Sequence, residues 1–298
     1  MERPLLACRD DWKYPHALCG VGLWTAVRGE DWRQLDGRYK WGDLTVHVVC
    51  STLCFGRRPL EEALRWIRAL DFSMADLAIG AHGPHWTPAQ VAADGAACLQ
   101  LLKSANVPLA AIHVDVRDQP PDQARAQFRA VAALARSTLT PLLTIPVAPL
   151  GSDIQAEVDR LREYQRLAAG EGLHLAIETH REQLTADPEV ALFFCRKVSG
   201  LGIALDPSHY LVGPHGKVNF DALYPYVLHV RLRDTGNRPE QFQVQVGQGE
   251  VEYSRIIAQL ERQHYQRALS VDIHDIPEFP YAIDVEVRKL KYLLESLV

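Results

Sequence analysis

LHLAIE (173–178), LGIALD (201–206), VLHVRLRD (227–234) and LSVDIH (269–274) decide the fold. Side chains alternate along a β-strand, so residue parity sorts each run into two faces. Leu173, Leu175 and Ile177 share one face of the first run, and His174, Ala176 and Glu178 the other. The second run sets Leu201, Ile203 and Leu205 against Gly202, Ala204 and Asp206. The third sets Leu228, Val230 and Leu232 against His229, Arg231 and Arg233, and the fourth Leu269, Val271 and Ile273 against Ser270, Asp272 and His274. One face is uniformly apolar and suits packing under helices. The other turns ionisable toward the C-terminal end, where the active sites of (β/α)8 barrels lie.

Upstream, LTVHVVC (44–50), ADLAIG (75–80), PLAAIHVDV (108–116) and PLLTIPV (141–147) bring the strand candidates to eight. Amphipathic stretches separate them. PLEEALRWIRAL (59–70) opens with Pro59 at a first helical position and carries Leu60, Leu64 and Ile67 as one stripe. DIQAEVDRLREYQRLAAG (153–170) carries Ile154, Val158, Leu161 and Leu167, and stops at Gly170. DPEVALFFCRKV (187–198) has Asp187 as cap and Pro188 behind it. SRIIAQLERQ (254–263) and IDVEVRKLKYLLESLV (283–298) complete the series, and NFDALYPY (219–226) is the weakest helix. Alternating strands and helices mean a parallel sheet, and eight units in this length favour closure into a (β/α)8 TIM barrel. The barrel is expected over residues 44–298.

Residues 1–43 do not follow this rhythm. They hold Trp12, Trp24, Trp32 and Trp41, four of the chain's 6 tryptophans, with Tyr14 and Tyr39. The expectation is an aromatic-rich N-terminal extension packed on the barrel bottom. An active-site edge or a contact between copies of the chain, as in a homo-oligomer, are the alternatives.

Composition removes several classes. With 298 residues, 47% hydrophobic, 23% charged and a net charge of −5, the chain is an ordinary globular protein. A pI near 6.2 argues against a nucleic-acid partner. No apolar run is long enough to span a bilayer, and MERPLLACRDDWKY lacks a signal peptide's apolar core, so a cytoplasmic location is expected. The 6 cysteines form no C-x-x-C pair and read as small buried apolar side chains.

At the barrel mouth, Glu178, Asp206 and Asp272 meet Arg231, Arg233 and several histidines. Carboxylates gathered in a cleft need positive charge among them, from a divalent cation or from a guanidinium. His113 and Asp115, by strand parity, and His47 on the first strand are candidates for the same mouth. AHGPHW (81–86) and GPHG (213–216) place His82, His85 and Trp86 in loops after strands, where a tryptophan suits stacking on a sugar ring.

IETH (177–180), LDPSH (205–209), HVRLRD (229–234), VGQGEVEY (246–253) and RALSVDI (267–273) resemble the successive motifs of the xylose isomerase-like TIM barrels, the sugar phosphate isomerase/epimerase superfamily. The resemblance implies Glu178, Asp206 and Asp272 as metal ligands (Mn, Mg or Zn), with His209 as partner of Asp206. The family's usual H-x-H-x-K/R-D keeps its first His as His229, but Arg231 stands at the second, metal-binding position. Arginine does not ligate a metal and repels it. Arg231 is therefore expected between Glu178, Asp206 and Asp272 in place of the metal. A cation held by the three carboxylates with His209 or His229 is the alternative.

The implied activity is that of a sugar or cyclitol isomerase, epimerase or dehydratase working by proton transfer beside a carbonyl through an enediolate. Glu178 and Asp272 are the expected acid–base pair, Arg231 the electrophile and His209 a proton carrier. His180, His229, Arg233, His113, His47 and Trp86 are the expected substrate contacts. A degenerate member that binds a polyol without turning it over is the second reading. An abasic-site endonuclease ranks last, because it needs a richer metal-ligand set.

Overall fold

In the computed structural model, residues 46–81 and 83–298 are described. Expectations for residues 1–43 and for His82 lie outside the described residues. Eight parallel strands close into a barrel, with β8 returning to β1. They are β1 (His47–Ser51), β2 (Ala75–Gly80), β3 (Leu109–Asp115), β4 (Leu142–Ile145), β5 (His174–Glu178), β6 (Leu201–Leu205), β7 (Val227–Leu232) and β8 (Ala268–Val271). The helices are α1 (Leu60–Ala69), α2 (Pro88–Ala93), α3 (Gly95–Ala105), α4 (Pro121–Ser137), α5 (Ile154–Gly170), α6 (Pro188–Lys197), α7 (Ser208–Leu211), α8 (Tyr253–Arg262) and α9 (Ile283–Glu295).

The helix signals act as their chemistry dictates. Asp153 and Asp187 cap α5 and α6, accepting from the N–H groups of Ala156 and Glu189 at 2.6 and 2.9 Å. Pro59 stands one residue before α1 rather than inside it. Leu60, Leu64 and Ile67 are buried as one stripe, whereas Ile154, at the first position of α5, is 39% exposed. The segment before β7 is a 3-10 helix, Asp221–Tyr226, because Pro225 within it lacks an N–H. Cys50, Cys54, Cys98 and Cys195 are buried and free, as expected of apolar filler.

Strand parity sets the two layers. Leu175, Ile177, Ile203, Leu205, Val230, Leu232, Leu269 and Val271 are buried in the layer under the helices. Inside the barrel three alanines, Ala111, Ala176 and Ala204, pack with Leu142 and Leu228. That floor leaves room above it for long polar side chains.

Candidate active site

Four carboxylates and two guanidiniums stack above the alanine floor. The register pairs Ala204 with His229 and Arg231 with Ser270, so β7 presents His229, Arg231 and Arg233 at rising depths. The lowest contact joins His229 to Asp76 of β2: His229 Nε2 lies 2.8 Å from Asp76 Oδ2. Arg231 lies above. Its Nε donates to Asp76 Oδ2 at 3.3 Å and its Nη2 to Thr144 Oγ1 of β4 at 3.0 Å. Its Nη1 lies 3.6 Å from Glu178 Oε2. Arg233 is the topmost, and its Nη2 donates to Asp206 Oδ2 at 2.8 Å and to Asp272 Oδ2 at 2.6 Å.

The cation expected between three carboxylates is thus two cations on two pairs. Arg231 serves Asp76 and Glu178; Arg233 serves Asp206 and Asp272. This corrects the expected place of Arg231. The physical reason is depth: two residues along a strand are about 6.6 Å apart, so one guanidinium does not span both levels.

The electrostatics follow from these pairs. Burial pushes the Asp76 carboxyl up, but Arg231 and His229 outweigh it and hold it below its ordinary value. Burial likewise raises Asp272, and Arg233, His274 and Arg231 bring it well below the usual range. For Arg231, burial opposes the charge, and Asp76, Asp272, Glu178 and Asp206 together keep it firmly protonated. Burial raises Glu178, and His113, His180, Arg231 and the Gln183 amide together hold it below its ordinary value.

Glu178 differs from the other three in access. Its Oε1 accepts from Gln183 Nε2 at 2.6 Å, while Gln183 Oε1 accepts the Val147 N–H at 2.8 Å. Its Oε2 faces Arg231 Nη1 and, at 3.9 Å, His113 Nε2. Its side chain is 15% exposed, against 2% for Asp76 and for Asp272. The other nitrogen of His113, Nδ1, lies 3.1 Å from Thr144 Oγ1. Burial lowers the pKa of His113, which leaves a neutral ring beside Glu178.

His180 and His209 face each other, ring centroids 4.2 Å apart. Each Nδ1 accepts a backbone N–H, from Glu182 and Arg181 respectively, both at 3.2 Å. A ring nitrogen that accepts carries no proton, so both neutral rings hold their hydrogen on Nε2. Burial depresses both pKa values, that of His209 strongly. His209 Nε2 points at Asp206 Oδ2, 3.6 Å away.

The loop after β7 covers this level. Asp234 Oδ2 accepts the N–H groups of Gly247 and Gly249 at 2.7 and 3.0 Å, and Oδ1 that of Thr235 at 3.0 Å. The glycines of VGQGE let the backbone wrap the carboxylate: a Cβ on Gly249 would lie 2.1 Å from Asp234 Oδ1. Gln243 in the same loop bonds both the N–H and the carbonyl of His274. The neighbouring Phe242 ring receives the Arg181 and Arg233 guanidiniums at 4.7 and 4.8 Å and the His209 ring at 4.6 Å.

Three expected substrate contacts fall elsewhere. His47 opens β1, pairs with Ala268 at the start of β8, and so lies at the opposite end of the barrel from the mouth. Its parity is right and its end is wrong. His229 is 1% exposed and supports Asp76 from below. Trp86 packs on the hydrophobic core, and its backbone extends the edge of β2 through Gly80. In the same loop His85 Nε2 sits 3.0 Å from the Thr52 carbonyl. Asp115 is bound bidentately by Arg117. Asp76, Thr144, Gln183 and Phe242 are residues that the sequence had not singled out. Parity within ADLAIG and PLLTIPV would have pointed Asp76 and Thr144 inward; the two loop residues carry no periodic signal.

As arranged, these residues do not fit the divalent cation that the motifs imply. Arg233 Nη2 stands between Asp206 and Asp272. His209 is fixed as an Nε2–H donor rather than a ligand, and His229 Nε2 is engaged by Asp76. Among the described residues, no group of three or more His, Cys, Asp or Glu is placed to hold a metal ion.

A closed eight-stranded parallel barrel with ionisable groups at the C-terminal ends of its strands defines the class, a (β/α)8 TIM barrel with a polar mouth. The model of the xylose isomerase-like TIM barrel family matches residues 64–292, and the chain belongs to that family. No curated protein sequence matches it. Among solved structures, it is similar to the probable 3-DHS dehydratase AsbF, involved in petrobactin synthesis, from Bacillus anthracis. Identity is 16% and the TM-score 0.65, over 84% of this chain and 99% of that one. The 3-keto-D-glucoside 4-epimerase YcjR from E. coli, in apo form, shares 12% identity at a TM-score of 0.64, over 85% and 100% of the two chains. A xylose isomerase-like TIM barrel protein from Mycobacterium smegmatis, in complex with magnesium, shares 17% identity at 0.65, over 85% and 98%. At these identities the likeness is one of fold.

Proposed function

We infer that the chain is a proton-transfer enzyme acting beside a carbonyl of a sugar- or cyclitol-like substrate, with Glu178 as base and Arg231 as electrophile. One observation carries this reading: Glu178 is the most accessible carboxylate of the cluster, and its Oε2 lies beside Arg231 Nη1, the nitrogen of that guanidinium with no hydrogen bond among the described residues. An ionised carboxylate next to a fixed cation is what enolisation needs. Oε2 takes the C–H proton, the C–H electron pair moves into the C–C–O system, and Nη1–H faces the developing enediolate oxygen. Reprotonation on the other face would epimerise the carbon, reprotonation at its neighbour would isomerise the substrate, and loss of a β-hydroxyl as water would dehydrate it.

Asp272 is a poor second acid, because Arg233 keeps it ionised, so Glu178 returns the proton from the face that lost it, which favours isomerisation or dehydration over epimerisation. The solved structures of the same fold that are described as a dehydratase and an epimerase make this chemistry a natural one for the barrel. A second reading is a binder without turnover. It is favoured by the closed Arg233 pairs, which tie up two carboxylates.

Keto-sugars and inososes incubated in deuterated buffer test both readings by NMR. The expected result is deuterium at the carbon next to the carbonyl, and Glu178→Gln should slow incorporation by about 10²–10⁴-fold. Binding that persists without incorporation for every ligand that binds would establish the second reading.

A further inference from the structure

Arg233 meets two carboxylates through one nitrogen, Nη2, while its Nε and Nη1 are buried with no hydrogen-bond partner among the described residues. Its Nη2 is within 2.8 Å of oxygens from two strands' ends, Asp206 Oδ2 and Asp272 Oδ2. His274 Nε2 approaches the same Asp272 oxygen at 3.4 Å, is buried, and has no hydrogen-bond partner among the described residues. The second oxygen of Asp272, Oδ1, is likewise without one. Asp206 Oδ1 is taken by the Ser208 N–H at 3.0 Å. The guanidinium side chain is only 3% exposed, and the Phe242 ring closes over it. Two carboxylate oxygens from different strands converge on one buried positive atom, and oxygens of this kind are hard donors that suit a divalent ion equally well.

We propose that Arg233, rather than Arg231, is this barrel's resident cation: it takes the position of a divalent metal between Asp206 and Asp272 and makes the site metal-independent. Arg231, bonded to Asp76 and Thr144 one level down, leaves that position free and keeps its remaining nitrogen for Glu178. The inference rests on the mouth being the functional site, but not on turnover, because metal binding is read separately from activity.

The predicted behaviour is opposite for the wild type and for the variant that lacks the guanidinium. Purified full-length protein should contain far less than one Mn, Mg or Zn per chain by elemental analysis. Its melting temperature should not move between EDTA and millimolar Mn²⁺. Arg233→Ala leaves the two carboxylates facing each other, and should melt well below the wild type in EDTA. It should regain several degrees with Mn²⁺ and show one tightly bound Mn²⁺ per chain by electron paramagnetic resonance. Adding Asp272→Asn should abolish that response. Arg233→Lys, which keeps a charge, should fold without a Mn²⁺ response, and it serves where Arg233→Ala does not fold. Stoichiometric metal in the wild type, or an Arg233→Ala protein indifferent to Mn²⁺, would overturn the proposal. Either result leaves the deuterium experiment on Glu178 unaffected, so the two failures are distinguishable.

Discussion

Asp76→Asn isolates the lower ion pair without changing side-chain volume. Asp76 is buried, and its Oδ2 receives His229 at 2.8 Å and Arg231 at 3.3 Å. Removing one partner of a buried pair costs about 3–5 kcal/mol, because the other charge is left in low dielectric. Arg231 is not fully abandoned here. It retains Thr144 at 3.0 Å and Glu178 at 3.6 Å, and the asparagine oxygen still accepts one bond. The expected loss is therefore below that range, about 2–3 kcal/mol, or a melting temperature lower by about 5–10 °C for a barrel of this size. Thermal denaturation followed by circular dichroism reads it directly. Arg231→Met, and the double variant with Asp76→Asn, complete a cycle. The double variant should melt above the sum of the single losses, with a coupling of about 1–2 kcal/mol. A melting temperature within about a degree of the wild type, or strictly additive losses, would refute the ion-pair account.

Two other outcomes are expected. His113, His180 and His209 are held below the ordinary histidine value of 6.5. The unfolded chain therefore binds more protons than the folded one, and stability should fall as pH drops below about 6.5, by up to about 1.4 kcal/mol per pH unit for each ring. Asp76, Glu178 and Asp272, also held low, add a second loss as pH falls through the carboxylate range, since they too take up protons more readily when unfolded. Urea unfolding from pH 8 to pH 3 should show both, and His209→Gln should flatten the first; a profile that rises between pH 7 and 5 would contradict the assignment. Gly249→Ala places a Cβ 2.1 Å from Asp234 Oδ1 and should loosen the loop that carries Phe242. The expected cost is about 1–3 kcal/mol, with faster proteolysis between residues 235 and 250, and wild-type proteolysis rates would argue against a rigid carboxylate cage.

Most of the barrel was legible because its strands obey parity. The leucines and isoleucines of β5 to β8 went outward and their ionisable residues inward, as alternation requires, except Leu228, which the register slip between β6 and β7 turns onto the interior cluster beside Gly202. What parity lacks is height. His47 has the inward parity but starts its strand, and Arg231 and Arg233 share a face at different levels. Height depends on how neighbouring strands are staggered, and here the stagger slips between Ile203 and Ala204, where β6 meets β7. A register of that kind is set by three-dimensional closure and leaves no mark in one strand's sequence. Asp76 went unnoticed as a lone polar residue in an apolar run. Phe242 and Gln243 lie in an irregular loop, where only contacts made after folding give them a role.

The bridge from Arg233 to Asp206 and Asp272 has a consequence for how the protein comes into service. A guanidinium is synthesised with the chain, so the centre of the mouth is complete as soon as β6, β7 and β8 have assembled. On the proposal that Arg233 replaces a metal, no loading step should follow folding, and a chelator should leave the site intact. The same permanence carries a constraint: a charge built into the backbone's own side chain cannot be exchanged for a softer or more acidic one, so its electrostatics can be retuned only by mutation.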